Sequence, residues 1–82
     1  MKLPRNLDGK ELIKALKRAG YEITRQRGSH VRLTRLRDVG LGEHHVTVPL
    51  HRPLRLGTLA ALLDDVAVEL GTDREGVLAY VK

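Results

Sequence analysis

The segment that decides the fold covers residues 26–33 and reads Gln26-Arg27-Gly28-Ser29-His30-Val31-Arg32-Leu33. Glycine and serine are common turn residues, and strand-like sequences flank them on both sides, which predicts two antiparallel strands joined by a tight turn. Glycine 28 is suited to the positive φ that such turns require. The same segment holds an imidazole and two guanidinium groups, so the turn is also the first candidate for chemistry.

The apolar residues around the turn indicate the strand register. Side chains alternate between the faces of a sheet, so a slip of one residue moves every side chain to the other face. A two-residue turn would pair Arg27 with His30 and divide the apolar residues between both faces. A three-residue or bulged turn would pair Gln26 with His30 and Ile23 with Leu33. We expect this second register, because it gives the sheet one apolar face.

This register predicts a polar face that is open to solvent. Arg25 and Arg27 are expected near the turn. The residues expected on the open face, including two from a third strand, are Thr24, Gln26, His30, Arg32, Thr34, His45 and Thr47.

Further elements are predicted on both sides of the hairpin. Asp8 with Glu11 and Thr72 with Glu75 have the spacing of helix capping boxes, and Gly20 is suited to end the first helix. The predicted order is a helix over 8–19, strands at 21–27, 30–36 and 45–49 with a loop at 37–44, a helix from 57 to a glycine at 71, and a short helix from 72. Such a chain forms an α+β, α-β-β-β-α two-layer sandwich with an extra short C-terminal helix.

Composition excludes several classes of protein. Eighty-two residues form one small domain, and the absence of cysteine excludes disulfides and thiolate metal sites. With no Phe or Trp and only two Tyr, the chain lacks the aromatic platforms on which many single-stranded RNA readers stack bases. No apolar run has the length of a membrane span or a signal peptide, so we expect a cytoplasmic protein with no membrane partner.

Charge is distributed unevenly along the chain. The net charge of +5 is the sum of +8 over residues 1–55 and −3 over residues 56–82. A basic body is typical of proteins that bind polyanions, and the acidic end suggests a separate structural or partner face. The alternative is an ordinary solvated surface.

Six short motifs follow one another over nearly the whole chain: Gly9-Lys10-Glu11-Leu12, Gly20-Tyr21, Gln26-Arg27-Gly28-Ser29-His30-Val31-Arg32, Val46-Thr47-Val48-Pro49, His51 and Gly57-Thr58-Leu59. Together they resemble the HicA toxins of bacterial toxin–antitoxin modules. The resemblance implies a double-stranded-RNA-binding-domain-like fold and one toxin domain over residues 1–82. It also implies an mRNA interferase that arrests translation and is neutralised by a HicB antitoxin. The family's catalytic histidine belongs to the Gly-Ser-His motif and corresponds here to His30.

The residues near the turn suit this chemistry. Cleaving RNA without a metal requires a base for the 2′-hydroxyl and an acid for the leaving 5′-oxygen, and an imidazole can perform both tasks near neutral pH. Arg25, Arg27 and Arg32 are candidates to bind the phosphate and stabilise its developing charge. Ser29 is a candidate to contact the phosphate or orient His30, and equally an ordinary turn residue.

A second candidate RNA surface is the exposed side of the first helix. Lys10 and Lys14, followed by Lys17 and Arg18, could extend an RNA track, since double-stranded RNA readers use such a helix. The same lysines are also typical of any solvated helix.

Metal chemistry is not expected. His44, His45 and His51 have no cysteine or suitably spaced helical ligand nearby, and Asp64 and Asp65 point about 100° apart on a helix. We therefore expect no metal and no cofactor. Of the three histidines, His45 is the best placed to assist His30 from a neighbouring strand.

The sequence thus favours a metal-independent endoribonuclease toxin with RNA and a HicB-like antitoxin as partners. One alternative is a non-catalytic double-stranded RNA-binding module, in which His30 has no chemical role. Another is a protein-interaction domain that uses the acidic C-terminal helices.

Overall fold

The chain folds as one antiparallel sheet with three helices. A computed structural model describes residues 2–37 and 42–81. The elements in chain order are α1 (Gly9–Arg18), β1 (Glu22–Arg27), β2 (His30–Leu36), β3 (Glu43–Pro49), α2 (Leu56–Leu70) and α3 (Arg74–Leu78). The strand order is β1-β2-β3, which confirms the predicted α+β class and the α-β-β-β-α order with a short final helix. The predicted loop at 37–44 falls partly on residues 38–41, which lie outside the described residues.

The first helix begins and ends as its sequence predicts. The Glu11 carboxylate accepts a hydrogen bond from the Asp8 backbone N–H at 3.0 Å, which forms the return arm of the capping box. Gly20 has a φ of 101° just beyond the helix, and the Tyr21 N–H donates to the Leu16 carbonyl at 2.9 Å. The positive φ reverses the chain direction, so that β1 starts directly after α1.

The core lies between one face of the sheet and the helices, and it is almost entirely aliphatic. β2 and β3 contribute the alternate residues that face the helices, α1 and α2 contribute one apolar side each, and Val77 adds the contact of α3. The most deeply buried aliphatic residues are Leu12, Leu16, Leu33, Val48, Leu59, Leu63, Val66 and Val77. Burial of branched aliphatics supplies the main stabilisation of such a small domain.

The expected register of the first hairpin is wrong at the turn and right further from it. Arg27 pairs directly with His30 across the two-residue turn, and Gln26 pairs with Val31 rather than with His30. Ile23 nevertheless pairs with Leu33, as predicted, because the register shifts between Ile23 and Arg25. The extra residue is therefore Thr24, and the bulge lies within β1 instead of at the turn.

The position of this bulge decides which side chains face the solvent. Gln26 lies on the core side of the sheet with its partner Val31, so its expected place on the open face is wrong. Arg25 and Arg27, expected only near the turn, lie on the open face opposite Arg32 and His30.

The third helix is capped one residue later than predicted. The Asp73 side chain accepts a hydrogen bond from the Gly76 N–H at 2.9 Å, whereas Thr72 and Glu75 form no capping box. The reason is the end of α2, where Gly71 has a φ of 69° and the Thr72 N–H donates to the Ala67 carbonyl at 2.9 Å. Thr72 is thus part of the preceding helix end, and Asp73 is the first residue able to cap α3.

The second and third strands pair without interruption from His30 opposite Pro49 to Leu36 opposite Glu43. β3 begins two residues before its predicted start. In the part of the chain that the structure describes, no helix has the length and apolar character needed to cross a bilayer.

Candidate functional site

A shallow depression of about 210 Å³ lies on the open face of the sheet, next to the β1–β2 turn. All three strands contribute to it. The side chains that line it are Arg25, Arg27, His30, Arg32 and Thr47.

Cross-strand pairing places these side chains beside one another. Arg27 is opposite His30, Arg25 is opposite Arg32, and Thr47 is opposite Arg32 from the other neighbouring strand. Directly paired residues of an antiparallel sheet have Cβ atoms about 4.5–5.5 Å apart. The register therefore brings one imidazole and three guanidinium groups to a single patch.

The turn that precedes His30 is held from two sides. Gly28 has a φ of 57°, and the Gln26 side-chain amide donates to its carbonyl at 3.1 Å. The Leu50 N–H donates to the Ser29 carbonyl at 2.7 Å, which ties the turn to the end of β3. Gln26, expected to line the open face, instead braces the backbone that positions His30.

The three arginines of the depression have no counter-charge among the described residues. Among residues 2–37 and 42–81, no carboxylate lies within 4.0 Å of the guanidinium groups of Arg25, Arg27 or Arg32. Like charges directly opposite each other on a sheet, such as Arg25 and Arg32, are destabilising. An anion bound between them would remove this repulsion, and a phosphate accepts bidentate hydrogen bonds from guanidinium groups.

Comparison with known sequences assigns the family. The sequence model of the HicA toxin of bacterial toxin–antitoxin matches residues 9–68. The chain belongs to the HicA toxin family. No curated protein and no solved structure matches the chain. The matched residues run from α1 through the whole sheet into α2, so they contain every residue of the depression.

In this member of the HicA family, the structure brings together most of the predicted site residues. Arg25, Arg27, His30 and Arg32 share the depression, and Ser29 lies next to it, exposed in the turn. Thr47 also lines the depression and was expected on the open face but not as a site residue. The sequence indicated its position only through the alternation of Thr47 with the inward-facing Val46 and Val48.

Lys10 and Lys14 lie elsewhere. Both line a groove between α1 and β1, together with Gln26 and Val31, which are on the core side of the sheet. The HicA chain thus has its lysine row and its arginine cluster on opposite faces of the sheet.

His45 is on the open face but far from His30. It pairs with Thr34, four residues along β2 from His30, which corresponds to about 13 Å at the usual strand rise. Its Nδ1 is hydrogen-bonded to the Thr34 hydroxyl at 2.8 Å, and that hydroxyl also contacts the Thr24 hydroxyl at 2.8 Å. The expectation that His45 assists His30 therefore does not agree with the geometry.

His44 belongs to a different network at the far end of the sheet. Its Nε2 lies 3.0 Å from the Asp65 carboxylate and its Nδ1 lies 2.7 Å from the Tyr21 hydroxyl, so both ring nitrogens are hydrogen-bonded. Tyr21 is buried, and this burial, with a smaller effect from the Glu69 charge, raises the pKa of its phenol to about 12. The phenol remains a neutral donor, which suits a structural link between α2 and the sheet.

The described residues contain no group of three or more His, Asp or Glu side chains that could hold a metal ion.

Proposed function

We propose that this HicA-family chain is an endoribonuclease toxin that cleaves mRNA in the cytoplasm and arrests translation, with His30 as the general acid/base. Residues 1–82 act as one toxin domain in this proposal. The observation that carries it is the depression itself, where an exposed imidazole lies among three arginines that have no carboxylate partner within residues 2–37 and 42–81. A phosphodiester supplies the negative charge that this patch lacks.

The proposed reaction needs no metal. His30 takes the proton from the ribose 2′-hydroxyl, whose oxygen forms a bond to the phosphorus, and the bond from phosphorus to the 5′-oxygen breaks. The leaving oxygen must gain a proton, which the protonated His30 or a water molecule delivers. In the described part of the chain, no second imidazole and no carboxylate lines the depression, so His30 is the only side chain there suited to this task.

The arginines have a separate role. Charge accumulates on the phosphate oxygens as the pentavalent phosphorus forms, and guanidinium groups fixed on a rigid sheet stabilise it without reorganisation. Arg32 occupies the centre of the patch, since it pairs with Arg25 on one side and Thr47 on the other. Ser29, next to His30, provides a further hydrogen-bonding group for the phosphate.

The proposed partners are mRNA and a HicB-like antitoxin. An antitoxin that places carboxylates over Arg25, Arg27 and Arg32 would satisfy the same charges as RNA, and it would cover His30 at the same time. Binding of the antitoxin and of the substrate would then be mutually exclusive.

The test compares His30→Ala with His45→Ala, because both histidines are on the open face but only His30 lies in the depression. We expect His30→Ala to lower the RNA cleavage rate by about 10²–10⁴-fold, the usual contribution of one acid/base group. RNA affinity should stay close to that of the parent, and His45→Ala should cleave at the parent rate. Addition of EDTA should leave the rate unchanged.

Two results would contradict the proposal. Cleavage that survives in His30→Ala would remove the catalytic role of this residue. A parent protein that binds RNA with a strong salt dependence and never cleaves it would favour the non-catalytic double-stranded RNA-binding module instead.

A further inference from the structure

A second concave surface of the molecule has a different character from the arginine depression. It is a groove of about 370 Å³ between α1 and the edge strand β1, on the core side of the sheet. Four apolar residues form its floor: Ile13, Ile23, Val31 and Leu50. Three lysines form its basic rim: Lys10, Lys14 and Lys17.

The floor of the groove exposes an apolar side chain that the fold does not cover. Ile23 pairs with the fully buried Leu33 but is itself 46% exposed, because β1 is the edge of the described sheet and α1 covers only part of its inner face. Ile23 shares the concave surface with the partly buried Leu50, so a protein segment lying in the groove would remove apolar surface from water.

The rim presents a row of positive charge. Lys10, Lys14 and Lys17 follow one side of α1 over about 10 Å, given the rise of the helix. Within the described ranges, none of the three ammonium groups has a carboxylate within 4.0 Å. The row therefore matches carboxylates on a partner that lies alongside α1.

The combination of an apolar floor and a lysine rim fits a protein partner better than RNA. An RNA backbone would pair with the lysines but leave the aliphatic floor uncovered, and the groove has no aromatic ring on which a base could stack. An amphipathic protein segment can satisfy the lysines and the floor together.

The acidic half of a second copy is a poor occupant. Four of the five carboxylates in residues 56–82 are already engaged within the chain: Asp64 with Arg74 at 2.7 Å, Asp65 with His44 at 3.0 Å, Glu69 with Arg37 at 2.8 Å, and Asp73 with the Gly76 N–H at 2.9 Å. The partner is therefore a different protein.

Addition of a strand to β1 is also disfavoured. The bulge at Thr24 interrupts the edge, and Glu22, Arg25 and Arg27 place charges along it, which are common protections against strand pairing. A partner would therefore bind through side-chain contacts, as a helix does when it lies in a groove.

We propose that the groove between α1 and β1 is the docking site for an acidic amphipathic helix of a partner protein. Its apolar side chains cover Ile23, and its carboxylates pair with Lys10, Lys14 and Lys17. The site is separate from the proposed RNA surface, and its test does not depend on cleavage.

The test is an NMR titration of the full chain with designed peptides about four helical turns long. The main probe carries leucine on one side and glutamate on the other. One control peptide replaces leucine by serine, another replaces glutamate by lysine, and a single-stranded RNA oligonucleotide is titrated in parallel. We expect only the leucine–glutamate peptide to shift the backbone amide signals of Ile13, Lys14 and Ile23, while those of His30 and Arg32 stay in place.

Matched variants locate the contact. Ile23→Ser should weaken peptide binding by about tenfold, as expected for loss of one central apolar contact. Val68→Ser should leave affinity unchanged, because Val68 is 83% exposed on α2, away from the groove. Lys14→Glu should weaken binding and Arg5→Glu should not. All four positions are exposed, so the variants are expected to fold like the parent.

The proposal would be overturned if the leucine–glutamate peptide shifted no groove signals, or if it bound Ile23→Ser and Val68→Ser equally well. It would also be overturned if the RNA oligonucleotide, rather than the peptide, shifted the groove signals. That result would assign the groove to the RNA track.

Discussion

Two sets of arginines, one on the open face of the sheet and one at the end of β2, differ in whether a carboxylate contacts them. Arg32 faces the open side of β2 among other arginines, whereas Arg35, three residues further on, faces the helices and lies 3.6 Å from Glu69. Arg37 also binds Glu69, through hydrogen bonds from Nε and Nη2. Glu69 neutralises one set, whereas no carboxylate of the described residues contacts the other.

The difference separates arginines that hold the fold from arginines that are available to a ligand. Its hydrogen bond to Glu69 raises the pKa of Arg37, and the same contact lowers the pKa of the Glu69 carboxyl. Glu69 belongs to α2, so these contacts join the helix to the end of the sheet. Arg25, Arg27 and Arg32 make no comparable contact within the described residues, and we attribute their clustering to an anionic ligand.

The largest expected effect on RNA affinity comes from exchanging arginine for methionine in each set. Arg32→Met should lower RNA affinity by about tenfold or more, since a charge-assisted hydrogen bond contributes about 1.5–3 kcal/mol. Its free energy of unfolding should not fall, because a like-charge pair is removed. Arg35→Met should keep the RNA affinity and lose at most about 1 kcal/mol of stability. Filter binding and urea unfolding measure the two quantities.

This comparison would fail if Arg35→Met weakened RNA binding as much as Arg32→Met. Net charge alone would then explain binding, and the pairing with Glu69 would be irrelevant to it.

A smaller effect concerns salt. The slope of log affinity against log salt concentration should decrease by about 0.7 for each of Arg25→Met, Arg27→Met and Arg32→Met, since each removes one phosphate contact on single-stranded RNA. The slope of Arg35→Met should equal that of the parent. Equal slopes for all four variants would show that the open-face arginines do not contact phosphates.

The smallest effect is on stability in acid. Because the Glu69 pKa is lowered in the folded state, its contribution to stability is complete above the unfolded pKa of about 4.3 and is lost as pH falls through the lowered value. Glu69→Gln should therefore lose less stability than the parent between neutral pH and this acid range. Urea unfolding at a series of pH values measures the difference, and parallel curves for the two proteins would contradict it.

The sequence predicted what is decided locally. The capping residues of α1, the bounds of β2 and the αL glycine that ends α2 all depend on neighbours within a few positions. The cap of α3 was misassigned by one residue, because the closing hydrogen bond of the preceding helix uses Thr72.

The register of the β1–β2 hairpin could be predicted from local sequence only in part. The apolar pattern required one extra residue between Ile23 and the turn, but it did not indicate which residue was extra. Twist and packing placed the bulge at Thr24, where its hydroxyl contacts that of Thr34. The contacts between His44, Tyr21 and Asp65 could not be predicted from local sequence either, because they join residues more than twenty positions apart.

The bulge also implies how this strand can change length. Omitting Thr24 would leave Ile23 opposite Leu33 and Arg25 opposite Arg32 in one unbroken alternation, so neither face of the sheet would be reassigned. Omitting Gln26 would instead place Arg25 opposite Val31, on the core side of the sheet. The bulge at residues 24–25 is thus the place in β1 where one residue can be lost while both faces of the sheet keep their side chains. A family built on this hairpin could therefore gain or lose one residue at the bulge while the core-facing and solvent-facing side chains stay on the same faces of the sheet.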